Sequence, residues 1–162
     1  MKAVVNATPL IALARVDQLA LLNQLFDEVL VPPAVYQEVT VQGVNLSGAA
    51  LVMQSDWIRV QAPVTPPTIE PLLLGLDAGE MEVLLLAQDV QPAQVVIDER
   101  IGRRVAQALR IPLTGTLGVL LAAFRAELLT KQQASDAAHE MGAKGIRIGT
   151  PLLAWFEREI NQ

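Results

Sequence analysis

Apolar residues in this chain come in short runs that stop at polar or proline-containing junctions and then resume with helical spacing. Residues 3–5 (AVV) form such a run, ending at Asn6-Ala7-Thr8-Pro9, where an Asn, a Thr and a helix-starting Pro predict a change from strand to helix. The next segments, LIALARV and LALLNQLF, space their apolar residues three and four apart and predict two short helices, with Asp17 expected to cap the second. Residues 29–31 (VLV) repeat the strand signal, and Pro32-Pro33 leads into AVYQEV, because a first helical turn tolerates proline.

Between Gly43 and Gln61 the pattern weakens to a helix over residues 49–54 and an edge strand over 57–60, followed by a loop at APVTPP. From Asp77 it is regular again. EMEVLLLAQ predicts a helix, residues 95–97 (VVI) a fully buried strand, ERIGRRVAQAL a helix, residues 111–113 a further strand, and residues 116–126, 131–141 and 151–160 three more helices. Strands alternating with helices predict an α/β fold: a central parallel sheet covered by helices on both faces. At 162 residues this is one domain, 1–162.

Composition adjusts the picture in three places. With 52% hydrophobic and 18% charged residues, the chain is more apolar than an average domain, which predicts a sizeable core or an oligomer interface. A homodimer is expected on this ground; Trp155 and Phe156 on the amphipathic PLLAWFEREI helix are candidates for its interface, although aromatics so placed more often belong to the core. The lack of cysteine excludes disulfides, thiol catalysis and cysteine-ligated metal centres, and the single histidine, His139, falls in a polar helical stretch that predicts a surface position. The net charge of −5 argues against indiscriminate nucleic-acid binding, which needs many Lys and Arg contacts to phosphate, so any nucleic acid must be met locally. No apolar run approaches the roughly 20 residues of a membrane span, and no secretory leader pattern opens the chain; a cytoplasmic protein with no membrane partner is expected.

Candidate chemistry follows from topology. In open parallel sheets ligands bind beyond the carboxyl ends of the strands. Asn6 and Asp98 close two predicted strands, while Glu38 and Glu80 lie on helices that can lean over the same edge. Carboxylates brought to one place repel each other, and a hard cation such as Mg²⁺ or Mn²⁺ relieves that repulsion. Such ions activate water and stabilise the charge of an in-line displacement at phosphorus, without any histidine.

The blocks AVVNATPLIALARV, EVLVPPAVYQEV, LDAGEMEVLLLA and VVIDERIGRRVAQALRIPLTGTLGVLLAA, in this order, resemble the signature blocks of the PIN-domain family, over residues 2–126, with residues 127–162 as C-terminal helices. The resemblance implies an α/β/α fold with an acidic pocket formed by Asn6, Glu38, Glu80 and Asp98 as metal-binding and catalytic residues. It also implies Mg²⁺- or Mn²⁺-dependent cleavage of RNA, a small antitoxin protein as partner, and a homodimer. The family's usual residue at position 6 is aspartate; asparagine is a recurrent variant in the similar subfamily, and it offers the metal a neutral carbonyl instead of a charge.

Ordinary readings stand beside these. Asn6 alone suits a turn after a strand. Asp77 and Glu80 have the spacing of an N-cap and its capping-box partner. Glu38 suits an exposed helix position and Glu82 a solvated one, while Glu99 and Asp77 are spare acids that could compensate for Asn6. Arg100, Arg103 and Arg104 share a helical face that could present guanidinium groups to phosphate or pair with acids. Thr114 and Thr116 flank a strand-to-helix junction that could receive phosphate or carry a simple cap. Two further functions compete: a catalytically inactive PIN-like module for RNA or protein binding, and a phosphoacceptor receiver domain. The second fits poorly, because Asn6-Ala7 and Thr114 stand where it needs an acid pair and a lysine.

Overall fold

The computed structural model describes residues 1–42, 48–64 and 75–162. Five parallel strands form one sheet in the order β3-β2-β1-β4-β5, with β1 at Lys2–Val5, β2 at Glu28–Val31, β3 at Ile58–Val60, β4 at Gln94–Val96 and β5 at Leu113–Thr114. Val4 pairs with Leu30 on one side and Val95 on the other. These runs are β-branched and carry no alternating polar residue because both faces of the central strands are covered: Val4, Val5, Val95 and Val96 are fully buried. The first three strands build one half of the sheet, after which the chain crosses to β4 and β5. The order therefore reverses between β1 and β4, and their carboxyl ends form the topological switch point.

The edge strand β3 falls where the alternation of residues 57–60 predicts it. At the opposite edge β5 has only two residues and starts later than expected. Pro112 has no N–H for the ladder, although its carbonyl accepts a bond from Val95 N (2.8 Å). The APVTPP loop runs out of the described residues after Val64.

Helix α1 (Ala7–Arg15) ends differently from the expectation. Asp17 has φ 57°, the left-handed conformation that short polar side chains tolerate, and this turn lets Gln18 N donate to Leu13 O (2.8 Å). Asp17 thus terminates α1 and does not cap α2 (Leu21–Leu25), which starts from Ala20. Helix α3 (Pro33–Gln37) opens on a proline and runs into a π-helical turn at Glu38–Gln42; α4 spans Ala49–Gln54. Glu82 is half-buried and accepts a bond from Ala34 N (3.2 Å) in the first turn of α3, which corrects its reading as a solvated residue.

Helix α5 (Ala78–Val90) can be apolar on two sides because it lies between two clusters. Val83, Leu86 and Ala87 face the main core, whereas Leu84 and Leu85 pack with Val105 and Ala106 of α6 (Arg100–Ala108). Helices α7 (Thr116–Arg125), α8 (Lys131–Ala143) and α9 (Thr150–Ile160) pack on one another, α8 starting from a capping box between Thr130 and Gln133. Phe156 is fully buried in the main core and Trp155 half-buried. Phe156 thus belongs to the core, the more usual place for such an aromatic, because packing of α9 against α7 absorbs it. With helices on both sides of the parallel sheet, the fold is three-layered, α/β/α. Among the described residues no helix is long and apolar enough to cross a membrane.

Candidate functional site

Asn6 sits at the end of β1 and extends the ladder by one step, its N–H donating to Val96 O (3.0 Å). It is buried, and although it occupies the N-cap position of α1 its side chain makes no cap bond. Instead Asn6 Nδ2 donates to Glu99 Oε2 (2.9 Å), and the Thr8 hydroxyl donates to Glu99 Oε1 (2.5 Å). The first-strand amide is thus committed to an acid on the far side of the switch point.

Asp98 follows β4 and is held from α7. Thr116 donates to it twice, from its backbone N–H (2.8 Å) and its hydroxyl (2.5 Å). A carboxylate receiving the first N–H of a helix is favoured by the helix dipole, so Asp98 caps α7 from the neighbouring strand, and the simple threonine cap expected there does not form. Gly115 allows this approach: a Cβ at that position would stand 2.7 Å from Asp98 Oδ1. Arg103 Nη1 donates to Ile97 O (2.8 Å), bringing its guanidinium beside Asp98.

Asp77 caps α5 by accepting from Glu80 N (2.7 Å). Glu80, 8% exposed, points towards α6, its Oε2 lying 3.0 Å from where a Cβ on Gly102 would stand. The same helix start abuts Asn6, because a Cβ on Gly79 would be 3.8 Å from Asn6 Oδ1 and 3.5 Å from Asp77 Oδ1. Glu38 is half-buried at the beginning of the π-helical turn.

The surroundings of these acids all disfavour the charged form. Burial, a hydrogen bond with Asp77, and the charges of Asp77 and Glu99 push the Glu80 carboxyl up to about 7. Glu38 is raised by burial and then by Asp77 and Glu99. Asp98 is raised by burial and by Glu99, against the opposing pull of its Thr116 bonds and Arg103. Glu99 acts on all three and is bonded to Asn6, so this acid, expected only as a spare that could compensate for Asn6, is tied directly to the first-strand amide. Among the described residues, however, no three acids close on one point as a complete metal cage. The donor chemistry still fits a hard cation: Mg²⁺ is commonly held by one or two carboxylates, with water and substrate phosphate as its other ligands.

Of the three arginines, only Arg103 reaches the acidic edge; Arg100 and Arg104 are exposed and form no ion pair among the described residues. The Thr116 hydroxyl is already given to Asp98, whereas Thr114 lines an adjoining cleft. Thr8 was not anticipated, although its place two residues beyond a strand-ending amide was a usable signal. Leu152 and Trp155, which line that cleft beside Asp98, carried none, because the approach of α9 is purely tertiary.

A parallel sheet with helices on both sides and acids at its switch point is a nuclease-like architecture, and the chain belongs to the PIN-domain family. A family model described as a PIN domain matches residues 2–162, running through the C-terminal helices beyond the blocks that carry the resemblance. No curated protein and no solved structure is found to match the chain.

Proposed function

We propose that this chain is a divalent-metal-dependent endoribonuclease, the toxin component of a toxin–antitoxin pair, hydrolysing RNA phosphodiester bonds. The observation that carries the reading is electrostatic: Glu38, Glu80 and Asp98 are raised chiefly by burial and further by neighbouring carboxylates, Glu99 acting on all three. Mutual repulsion of this kind is what a divalent cation offsets. Of Glu38, Glu80, Asp98 and Asn6, with Glu99 beside Asn6, one or two carboxylates would hold Mg²⁺ or Mn²⁺, water and substrate phosphate filling the other places. Bound there, the ion would supply Lewis-acid polarisation of the phosphate and a water of lowered pKa.

The chain's own residues do the rest. Asn6 and Thr8 orient Glu99, Thr116 orients Asp98, and Arg103 offers further guanidinium N–H groups to phosphate beyond the one bonded to Ile97 O. In this reading the partners are RNA, a small antitoxin protein and a second copy of the chain. Exposed Val41 and Met53 supply apolar surface for the last, which sedimentation at low micromolar concentration would detect as a dimer, against a monomer throughout. Cleavage of a mixed RNA pool with Mn²⁺, Mg²⁺ or EDTA tests the chemistry: products must appear with the metals and vanish with the chelator. A chain that binds RNA but cuts none with either metal would instead be the inactive module.

A further inference from the structure

Beside Asp98, the short edge strand β5, the start of α7 and the middle of α9 enclose a cleft of about 350 Å³. Its lining combines three chemistries: the Arg103 guanidinium, the Thr114 side chain, and the Trp155 indole with Leu152 next to it. Asp98 forms part of the same wall, so the cleft opens directly off the proposed reaction centre. A second hollow, about 540 Å³, shares Thr114, Gly118 and Trp155 with the first and leads away to Arg125, which is paired with Glu159 (2.7 Å). Trp155 therefore borders both spaces, and the lining of each includes one arginine, Arg103 in the first and Arg125 in the second.

An aromatic face with a cation in the same cleft matches the construction of single-strand nucleic-acid tracks, where arginines follow the phosphates and bases stack on side-chain rings. We propose that this cleft receives a nucleotide of single-stranded RNA next to the scissile phosphate, its base stacked on Trp155 and its phosphate on Arg103. The proposal deepens the ribonuclease reading and rests on it for the identity of the strand. Stacking is available to every base, so Trp155 supplies affinity and register on single strands, whereas a duplex keeps its bases from the indole.

The test uses the full chain carrying Trp57→Phe, which leaves Trp155 as the single tryptophan. An oligoadenylate about eight nucleotides long is titrated in EDTA, where nothing is cut, and fluorescence is recorded. Binding is expected to quench Trp155 saturably. The Trp155 variants carry no tryptophan, so their affinities are read from the anisotropy of an end-labelled oligoadenylate: Trp155→Ala should weaken binding about tenfold, while Trp155→Phe retains most of the affinity and so controls for loss of folding. An abasic ribose-phosphate oligomer should bind equally well whether or not the chain carries Trp155→Ala. The proposal is overturned if the oligoadenylate fails to bind, binds without quenching, or binds Trp155→Ala as tightly as the chain that keeps Trp155. Adding Mn²⁺ to the same samples separates the two ideas. Stacking without cleavage removes the ribonuclease reading and leaves the cleft standing; cleavage whose KM ignores Trp155→Ala removes the cleft and leaves the ribonuclease.

Discussion

An aspartate at position 6 would set its carboxylate against Glu99, where Asn6 now donates a hydrogen bond. From the family's usual residue alone, Asn6→Asp is expected to tighten metal binding by adding a charged ligand. The Asn6–Glu99 bond adds a cost in the metal-free protein: a donor to a charged acceptor is lost and a like charge introduced, worth about 1–3 kcal/mol of stability. Asn6→Asp should therefore melt lower than the wild type in EDTA, and Mn²⁺ should raise its Tm by more. Thermal melting across a Mn²⁺ series reads both effects; equal metal-induced shifts in the two proteins would put position 6 outside the ion's reach.

Glu80 gives a pH dependence of definite sign. Unfolded, it titrates near its ordinary 4.5; folded, its carboxyl is pushed up to about 7, so the native chain holds the extra proton between those values. The stability linked to this group is then fully present below the lower value and lost as pH rises through the upper one. Glu80→Gln cannot ionise and should gain on the wild type above pH about 7, with little difference near pH about 4.5. Urea midpoints at several pH values check it, and a constant offset between the two proteins would show that Glu80 is not the titrating group.

At the scale of elements, Gly102 fixes the distance between α6 and its surroundings. A Cβ there would stand 2.5 Å from Ile97 Cδ1 and 3.0 Å from Glu80 Oε2. Alanine improves helix propensity by about 1 kcal/mol, but overpacking against a fully buried isoleucine costs about 1–3 kcal/mol, so the clash should win. Gly102→Ala is expected to lose roughly 1 kcal/mol in chemical denaturation; a more stable variant would mean that α6 shifts freely.

Most elements were legible because their causes are local. The β-branched runs of β1, β2 and β4 and the proline opening α3 need no tertiary information. Asp17 was misread because a cap and a left-handed helix terminator use the same short polar side chain. Asn6 and Asp98 were legible as strand ends. The role of Glu99 was not, since its partner Asn6 lies 93 residues away and only the pairing of β1 with β4 joins them. Phe156 was ambiguous for a similar reason: an aromatic on an amphipathic helix looks the same whether its apolar face meets another chain or, as here, its own α7.

In the molecule as a whole, the proposed activity rests on one sheet edge: Asp98 follows β4 and Asn6 ends β1 at the switch point set by the strand order 3-2-1-4-5, and Glu99 joins them through its bond with Asn6. The most direct test is cleavage of a mixed RNA pool by the wild type and by Asp98→Asn, each with Mn²⁺, Mg²⁺ or EDTA. Asparagine keeps an oxygen for Thr116 N while removing the charge, so the variant should fold. The wild type should cut with either metal and stop with EDTA, and Asp98→Asn should lose at least about tenfold in rate, a small share of what metal-centred catalysis supplies. Cleavage that persists in EDTA, or that is undiminished in a folded Asp98→Asn, would contradict a metal-centred site at this sheet edge.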